Sequence, residues 1–370
     1  MAEISLCMIV KNEEKNLKYC LNSIAGAVDE INIVDTGSRD KTIEIAKQYT
    51  NRVFYFTWID DFAAARNFSY SKATKDFIMW LDADDIITQE NFDTLLQLKT
   101  QLNDKIDFVI TLYRTHYNED GRPSMIFPKI RITRKSAGLS WKWAIHEDLQ
   151  PSGKGIFANL YIDHKYKNFT PSSKRNTRIL RKEIDEGRGD YRIHYYYGLT
   201  CFQHGNFDEA ERYLDMVMES GMVESFDSLD VFIMLHNIYK IRGDIDKARD
   251  ILEDNESKLS DKSEFYCGLG EFYRDTLYDP VKACEIFKKA LKCNGTFRRK
   301  DIPGQRNPDF YYHIPCVLLG KTYLNLRDSE SALMYYESAL AYRKDIEIER
   351  ITRKLMRIII LQKSLDIVNV

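Results

Sequence analysis

The first 165 residues alternate between short apolar runs and segments with helical periodicity, and this order restricts the fold more than any other feature of the sequence. Four apolar runs are predicted strands, at residues 4–10, 31–34, 53–58 and 77–81. Three segments with helical periodicity lie between them, at 14–25, 41–49 and 62–72. The order predicts a Rossmann-like α/β domain with a mostly parallel sheet and right-handed crossovers. Ligands of such sheets bind beyond the carboxyl ends of the strands.

The pattern changes between residues 107 and 164. Shorter strand-like pieces follow one another there with Gly and Pro turns between them, at 108–113, 125–133 and 157–162. A mixed extension of the sheet is the simplest explanation. Residues 168–173 have the composition of a linker, and residues 178–186 have helical periodicity.

The remainder of the chain repeats a turn followed by a helix. Four segments share the pattern: HGNFDEAERYL at 204–214, RGDIDKARDIL at 242–252, YDPVKACEIF at 278–287 and RDSESALMYY at 327–336. The alanines at 210, 248, 283 and 332 are 38, 35 and 49 residues apart, which is near the tetratricopeptide period of about 34 residues with insertions. Gly198, Gly268 and Gly320 are the small residues at which the preceding helix is expected to pack closely. An all-α tetratricopeptide-like solenoid is therefore predicted, with an inserted loop at 294–309.

These patterns divide the chain into three predicted parts. Residues 1–167 form the α/β domain, residues 168–190 a linker and helix, and residues 191–370 the helical repeat domain.

Composition narrows the choice of partner and compartment. The formal net charge is -2, so no general positive field attracts nucleic acid or an anionic membrane. The apolar start is interrupted by Lys11, Glu13 and Glu14, and no stretch approaches the roughly 18 apolar residues of a membrane span. Seven cysteines without metal-ligand spacing favour reduced thiols. We therefore expect a cytoplasmic protein without a membrane span or a nucleic-acid partner.

Three acidic residues, Asp82, Asp84 and Asp85, follow the fourth predicted strand. Carboxylates crowded behind a buried strand repel one another unless a cation neutralises them. Oxygen ligands of this kind suit Mg²⁺ or Mn²⁺, which would bridge to a diphosphate. The alternative is an acidic turn ahead of a helix at Thr88, with Asp85 solvated.

A second polar motif, Asp35-Thr36-Gly37-Ser38-Arg39-Asp40, follows the second strand. Asp35 can accept a hydrogen bond from a ribose hydroxyl or a uracil N–H, and Gly37 permits a tight turn. The alternative is ordinary turn chemistry with an N-cap at Ser38 or Asp40. Both interpretations can hold together.

Four segments of the predicted α/β domain carry a family resemblance: CMIVKNEEKNLKYCLNSI, INIVDTGSRDKT, DDFAAARNFS and DFIMWLDADD. In order and spacing they resemble the glycosyltransferases of family 2, which have the GT-A fold. Two later segments, LSWKWAIHEDL at 139–149 and YIDHKY at 161–166, resemble motifs of the subgroup that carries tetratricopeptide repeats. Within it, the chain is similar to bacterial transferases that glycosylate peptides and proteins, including the sublancin-type S-glycosyltransferases.

The resemblance implies a role for each matching residue. The base and ribose pocket of a UDP-sugar would be lined by Val10, Asn12, Glu13 and Asp35. Arg66 would approach the uracil or a phosphate, although a helix-surface arginine is the alternative. Asp82 would face the ribose or donor sugar beside the metal, and Asp84 would bind Mn²⁺ or Mg²⁺. His164 matches a late histidine that meets the metal or the diphosphate in many such folds, with a structural histidine as the alternative.

The family's catalytic base aligns with the segment His146-Glu147-Asp148. Sugar transfer with inversion needs a carboxylate that takes the acceptor's proton. Glu147 is the first candidate and Asp148 the second. Trp141 and Trp143 beside them are candidates for stacking on a sugar, or for core packing.

The sequence thus predicts a metal-dependent inverting glycosyltransferase that moves a hexosyl or N-acetylhexosaminyl group from a UDP-sugar to a peptide or protein, on a Ser/Thr hydroxyl or a Cys thiol. A glycan or lipid-linked acceptor, a non-catalytic sugar-nucleotide-binding scaffold and a nucleotidyltransferase are the alternatives. Residues from about 190 onward are expected to hold the polypeptide acceptor, and a second copy in a homodimer, without taking part in the chemistry. A basic patch at Arg298, Arg299 and Lys300 would suit an acidic acceptor.

Overall fold

The computed structural model describes residues 1–117, 121–164, 173–221, 228–293 and 307–368. Their contacts divide the described chain into two compact units, of which the first ends at residue 221 and the second begins at residue 228. Most of the predicted linker at 168–173, the basic patch at 298–300 and most of the inserted loop at 294–309 lie outside the described residues.

The first unit is built on an eight-stranded sheet and a separate two-stranded ribbon. The strands of the large sheet are β1 (Ile4–Val10), β2 (Glu30–Asp35), β3 (Val53–Tyr55), β4 (Phe77–Trp80), β5 (Asp85–Ile86), β6 (Phe108–Tyr117), β7 (Pro123–Arg134) and β10 (Gly155–His164). The ribbon pairs β8 (Trp141–Lys142) with β9 (Asp148–Leu149).

The strand order of the large sheet is β3-β2-β1-β4-β7-β6-β10-β5. The first four strands are parallel, as predicted, because each apolar run is joined to the next through a helix. β7 enters antiparallel between β4 and β6, and β10 returns parallel to β6, which makes the predicted extension mixed. The chain crosses from one side of β1 to the other between β3 and β4. The carboxyl ends of β1 and β4 therefore border the crevice where such sheets bind ligands.

Helices cover this sheet and continue beyond it. The first unit contains α1 (Leu17–Ile24), α2 (Thr42–Ala46), α3 (Phe62–Tyr70), α4 (Gln89–Gln101), α5 (Ser173–Asp185), α6 (Tyr191–Gln203) and α7 (Phe207–Glu219), with a 3₁₀ turn at Lys135–Ala137. In α1 the buried residues Leu17, Cys20, Leu21 and Ile24 recur at helical spacing and pack into the core under β1.

Several predicted bounds need correction. The third strand ends at Tyr55 rather than at residue 58, and the second helix covers only Thr42–Ala46. β6 and β7 are longer than predicted, because each is the other's partner along almost its whole length. The helix predicted at 178–186 begins already at Ser173. Neither Ser38 nor Asp40 is the N-cap of α2, a position held by Lys41.

The second unit is helical throughout its described residues. Its helices are α8 (Ser228–Ile241), α9 (Ile245–Glu253), α10 (Glu256–Leu259), α11 (Ser263–Asp275), α12 (Pro280–Ala290), α13 (Asp309–Tyr312), α14 (Ile314–Asn325), α15 (Ser329–Tyr342) and α16 (Ile346–Val368). The four predicted repeats correspond to the pairs α6–α7, α8–α9, α11–α12 and α14–α15. The prediction of an α/β domain followed by tetratricopeptide-like helices is therefore confirmed. The domain bounds at 167 and 191 stay a prediction.

Two of the three glycines singled out in the repeats lie where the helices of a pair approach closely. A Cβ at Gly198 would lie 3.2 Å from Leu214 Cγ, and one at Gly320 would lie 2.7 Å from Tyr336 Cε1. Gly268 does not have this role, because in its pair the corresponding glycine is Gly270, which faces the Phe287 ring.

All seven cysteines are free, as predicted. None of the helices in the described ranges has both the length and the apolar character that crossing a membrane requires.

Candidate active site

Asp84, Asp85 and His164 come together because two short segments pair at the edge of the large sheet. β5 runs antiparallel to the end of β10, with His164 opposite Asp85. His164 Nδ1 lies 3.5 Å from Asp84 Oδ1 and 3.2 Å from Asp85 Oδ1. One ligand atom from each residue lies within 4.8 Å of the others, so the described residues contain a group that could hold a metal ion.

Asp85 is fully buried, and the alternative that it is a solvated turn residue is wrong. Its Oδ2 accepts hydrogen bonds from Arg131 Nη1 and from the backbone N–H of Asp82, both at 2.9 Å. Its Oδ1 accepts from the Tyr113 hydroxyl at 2.7 Å. The Arg131 guanidinium is itself completely buried, and lies 3.7 Å from the centre of the Trp80 ring. Arg131 therefore neutralises Asp85 inside the core.

The charges of the other two residues respond to burial and to each other. Burial, opposed by the charge of His164 and aided by the carboxylates of Asp82 and Asp85, raises the pKa of Asp84 to about 7. Burial alone would lower the pKa of His164, but its hydrogen bond to Asp85 and the charge of Asp84 raise it above its ordinary value. Asp84 and His164 thus fit a divalent cation, which would take the place of a proton. Asp85, already paired with Arg131, orients the imidazole.

Arg66, on α3, joins two of the predicted site carboxylates. Its Nη2 donates to Asp82 Oδ1 at 2.8 Å, and its Nε donates to Glu147 Oε1 at 2.6 Å. Burial alone would raise the pKa of Asp82, but the charges of Arg66 and Arg131 hold it below its ordinary value. Asp82 therefore lies beside the group that could hold a metal ion, but it is engaged by Arg66. Asp82, which follows β4, and Glu147, which lies in the loop before β9, are thus hydrogen-bonded to the same guanidinium.

The position of Arg66 differs from that of a helix-surface arginine. The residue is only 7% exposed, and its guanidinium lies 4.6 Å from the centre of the Trp80 ring and 4.8 Å from that of Trp141. The two indoles provide cation–π contacts that compensate for lost hydration. Trp141 is buried against Trp80, so its ring belongs to the core rather than to a sugar-binding surface.

The residues assigned to the donor pocket lie at the carboxyl ends of β1 and β2, where Val10 is opposite Asp35. The backbone N–H of Asn12 donates to Ser38 Oγ at 2.9 Å, and Asn12 Oδ1 accepts from the Arg39 N–H at 2.8 Å. The Asp35 carboxylate accepts from the N–H groups of Gly37 and Ser38. Turn chemistry is therefore present at Asp35.

Glu13 follows the same strand end. Burial raises the pKa of its carboxyl group, which also accepts a hydrogen bond from Asn16. The Glu13 N–H donates to Thr42 Oγ1 at 2.6 Å, so the loop after β1 is fastened to α2.

Glu147 and Asp148 point to different cationic partners. Glu147 has a side chain 12% exposed and is held by Arg66. Asp148 has a side chain 33% exposed, with Lys129 Nζ at 3.8 Å and Arg192 Nη2 at 3.6 Å. Of the two, Glu147 is the one connected through Arg66 to Asp82. Trp143 lies in the same loop and donates from Nε1 to Asp190 Oδ2 at 2.7 Å.

Known proteins match both parts of the chain. The family described as Glycosyl transferase family 2 matches residues 5–159, and the Tetratricopeptide repeat matches residues 315–346. An uncharacterized glycosyltransferase of Rickettsia typhi is 33% identical over 233 residues, which are 61% of this chain and 72% of that protein. The chain belongs to glycosyltransferase family 2.

Two further relatives are similar to this chain. A TPR repeat-containing protein of Synechococcus elongatus is 27% identical over 296 residues, 74% of this chain and 72% of that protein. The SPbeta prophage-derived glycosyltransferase SunS of Bacillus subtilis is 27% identical over 187 residues, 49% of this chain and 43% of SunS. The chain thus matches less than half of the length of SunS. A transferase is favoured over the non-catalytic scaffold and the nucleotidyltransferase.

Among solved structures, glucosyl-3-phosphoglycerate synthase from Mycobacterium tuberculosis is 24% identical and matches 30% of this chain and 44% of its own. The TM-score is 0.27.

The sequence named Asp85 only as one of three crowded carboxylates, and it assigned no role to Tyr113 or Arg131. One signal was available. Arg131 lies between Ile130 and Ile132 in a strand pattern, and a charged residue buried in a strand needs an opposite charge nearby.

Proposed function

We propose that this family 2 glycosyltransferase is metal-dependent and inverting, and that it transfers a sugar from a UDP-sugar to a peptide or protein acceptor. One observation carries the proposal. Arg66 holds Asp82, which follows β4 beside the Asp84–His164 pair, next to Glu147, the candidate base. The residues that would bind the sugar donor, Asp82, Asp84 and His164, thus lie close to Glu147, which would deprotonate the acceptor.

The metal requirement is supported by the charge at Asp84. A carboxyl whose pKa is raised to about 7 by burial among other carboxylates gains from a neighbouring cation, and a diphosphate would add more negative charge. Asp84 and His164 would hold Mn²⁺ or Mg²⁺. A divalent cation supplies, when bound, neutralisation of the diphosphate leaving group.

The base is supported by the way Arg66 holds Glu147. Arg66 donates a hydrogen bond to Oε1 of Glu147. The other oxygen, Oε2, would then face the hydroxyl group of the acceptor substrate. Glu147 would take the proton from the acceptor hydroxyl as that oxygen attacks the anomeric carbon from the side opposite the diphosphate, which inverts the configuration. A cysteine thiol ionises more readily than a hydroxyl and would depend less on this base. Asp148 is the second candidate.

The donor and acceptor assignments rest on separate parts of the chain. Asp35, Asn12 and Glu13 lie at the strand ends where the uridine of the donor would bind. Helical repeats commonly present surfaces for polypeptide segments, which supports a peptide or protein acceptor and a second copy of this chain as partners of residues 191–370. A glycan or lipid-linked acceptor is the second candidate, because family 2 membership alone does not select the acceptor.

The proposal is tested by measuring UDP release from UDP-glucose, UDP-galactose and UDP-N-acetylglucosamine with Mn²⁺ or Mg²⁺. At least one donor is expected to be turned over, and EDTA is expected to abolish the reaction. Asp84→Asn should remove activity without unfolding the protein, since it deletes a charge at nearly constant volume. The exposed Asp93→Asn on α4 is the matched control and should behave as wild type. Undiminished turnover in EDTA would show that the metal assignment is wrong.

A further inference from the structure

The loop that carries the candidate base has an unfavourable backbone conformation. Trp143 has a φ of 68° and His146 has a φ of 54°, both in the left-handed region that residues with a side chain rarely adopt. Glu147 follows directly. Such conformations persist only where surrounding contacts stabilise them.

The contacts come from α6, the first helix of the repeat region. Arg192 donates to the carbonyl oxygen of His146 from Nε at 3.0 Å and from Nη2 at 2.9 Å. This fork fixes the peptide group between His146 and Glu147. The same guanidinium lies 4.7 Å from the centre of the Trp143 ring and 3.6 Å from Asp148 Oδ2. One side chain thus contacts three positions of the loop.

Two further contacts align helix and loop. The imidazole of His146 stacks on the ring of Tyr196, with the ring centres 3.7 Å apart and the planes inclined by 7°. Asp190 caps α6 through Oδ1, which accepts from the N–H groups of Arg192 and Ile193, and its Oδ2 accepts from Trp143 Nε1. The start of α6 and the conformation of the loop therefore depend on each other.

We propose that Arg192 is a positioning residue for the sugar-transfer reaction, and that α6 is part of the catalytic unit rather than only of the acceptor-binding repeats. Arg192 acts by fixing the carbonyl group of His146, which sets the orientation of the Glu147 side chain. In that orientation Glu147 reaches both Arg66 and the acceptor substrate. This inference rests on the proposed role of Glu147. It replaces the expectation that residues from about 190 onward take no part in the chemistry.

The test compares Arg192→Gln and Arg192→Lys with Arg212→Gln, an exposed arginine of α7, as the matched control. UDP release from the donor that wild type turns over is measured per UDP-binding site, so that unfolded protein does not contribute. Arg192→Gln is expected to lower kcat at least 10-fold with the KM for the donor changed less than twofold. Arg192→Lys should recover part of kcat, because an ammonium can still donate to the carbonyl. An Arg192→Gln enzyme with wild-type kcat would overturn the proposal.

A double-mutant cycle separates this inference from the proposed function. If Arg192 acts through Glu147, adding Arg192→Gln to Glu147→Gln should cause little further loss, whereas additive losses would overturn the proposal. If Glu147→Gln alone leaves turnover intact, Glu147 is not the base. The proposal that Arg192 acts by positioning Glu147 is then wrong as well.

Hydrogen exchange gives a result that needs no turnover. In Arg192→Gln the amides of residues 143–149 should exchange faster while those of β1 and β4 do not. Unchanged exchange in the loop would overturn the proposal whatever the donor.

Discussion

At the scale of single residues, the site depends on buried arginines that hold carboxylates in place. Arg131 pairs with Asp85 in the core, and Arg66 joins Asp82 to Glu147. Removing one partner of such a pair leaves an uncompensated charge in a low-dielectric environment, which is more harmful than removing both. Substitutions of these arginines, and of Asp85, will therefore affect folding. Glu147→Gln is a cleaner test of chemistry, because Arg66 keeps Asp82 as a partner.

The two candidate bases can be separated by amide substitutions. Glu147→Gln is expected to retain UDP-sugar binding and to lower transfer by roughly 100-fold or more, the usual contribution of a general base. Asp148→Asn is the matched variant and should have the smaller effect, since Asp148 faces Lys129 and Arg192. Rates are measured by UDP release, and donor binding by titration. A larger loss in Asp148→Asn would move the assignment by one residue.

His146 predicts a dependence of stability on pH. Burial, together with the charges of Arg192, Lys129 and Arg175, lowers the pKa of His146 from its ordinary 6.5 to about 3. As the pH falls below about 6.5 the unfolded chain binds a proton that the folded protein does not bind until about pH 3, so the free energy of unfolding decreases across this window. Urea unfolding is measured at pH 7.5 and pH 5. Between these pH values the free energy of unfolding should decrease less for His146→Phe, whose ring can still stack on Tyr196, than for wild type. An equal decrease in both proteins would contradict the assignment.

The sequence predicts those site residues whose position depends only on neighbouring residues in the chain. Strand ends and their polar residues are local, so Asp35, Asp82 and Asp84 could be found. The partners Arg66 and Glu147, or Asp85 and His164, meet only after β7 inserts beside β4 and β5 pairs with β10. Helical periodicity and alternation do not specify those pairings, which is why the burial of Asp85 was missed.

At the scale of elements, the length of one turn decides which glycine faces the neighbouring helix. Residues 326–328 join α14 to α15, whereas the connection from α11 to α12 has one residue more, 276–279. Gly198 precedes Leu214 and Gly320 precedes Tyr336 by 16 positions, whereas Gly270 precedes Phe287 by 17, so the longer turn adds one position to the spacing. Gly268 precedes Phe287 by 19 positions and lies against Ile233 instead. The glycine pattern was predictable, but the choice between Gly268 and Gly270 depends on the length of the turn, where Tyr278 has a φ of 55°.

Alanine substitutions distinguish the two glycines. A methyl group at Gly270 would overlap the buried Phe287 ring, and overpacking typically costs about 1–3 kcal/mol against a gain of about 1 kcal/mol in helix propensity. We expect Gly270→Ala to lower the free energy of unfolding by about 1 kcal/mol or more. At Gly268 the nearest atom is Ile233 Cδ1 at 3.3 Å, the end of a flexible side chain, so Gly268→Ala should be neutral or stabilising. Urea unfolding of both variants checks this, and equal effects would refute the packing difference.

At the scale of the whole molecule, the two compact units suggest a separation of tasks that differs from the predicted domain bounds. The unit that ends at residue 221 among the described residues contains the candidate site together with α6 and α7. The unit that begins at residue 228 contains the later repeats, including the segment that matches the Tetratricopeptide repeat.

Two truncations test this separation. A chain ending at residue 221 is expected to release UDP from the donor but to lose transfer to a polypeptide acceptor. A chain ending at Tyr191 lacks Arg192 and Tyr196, and should lose UDP release as well. Mass spectrometry of the acceptor and a UDP assay measure the two activities separately. If the chain ending at residue 221 modifies the acceptor at the wild-type rate, the later repeats serve another partner.

The double use of the Asp190 carboxylate also bears on how chains of this kind can be recombined. One carboxylate oxygen caps the N-terminus of α6, and the other accepts a hydrogen bond from the indole N–H of Trp143. A chimera that exchanges repeat arrays between transferases just before Asp190 would remove the residue to which the indole of the recipient's Trp143 is hydrogen-bonded. Exchange after α7 would leave Asp190 in place, so both domain shuffling in evolution and the engineering of new acceptor specificity are expected to use that later junction.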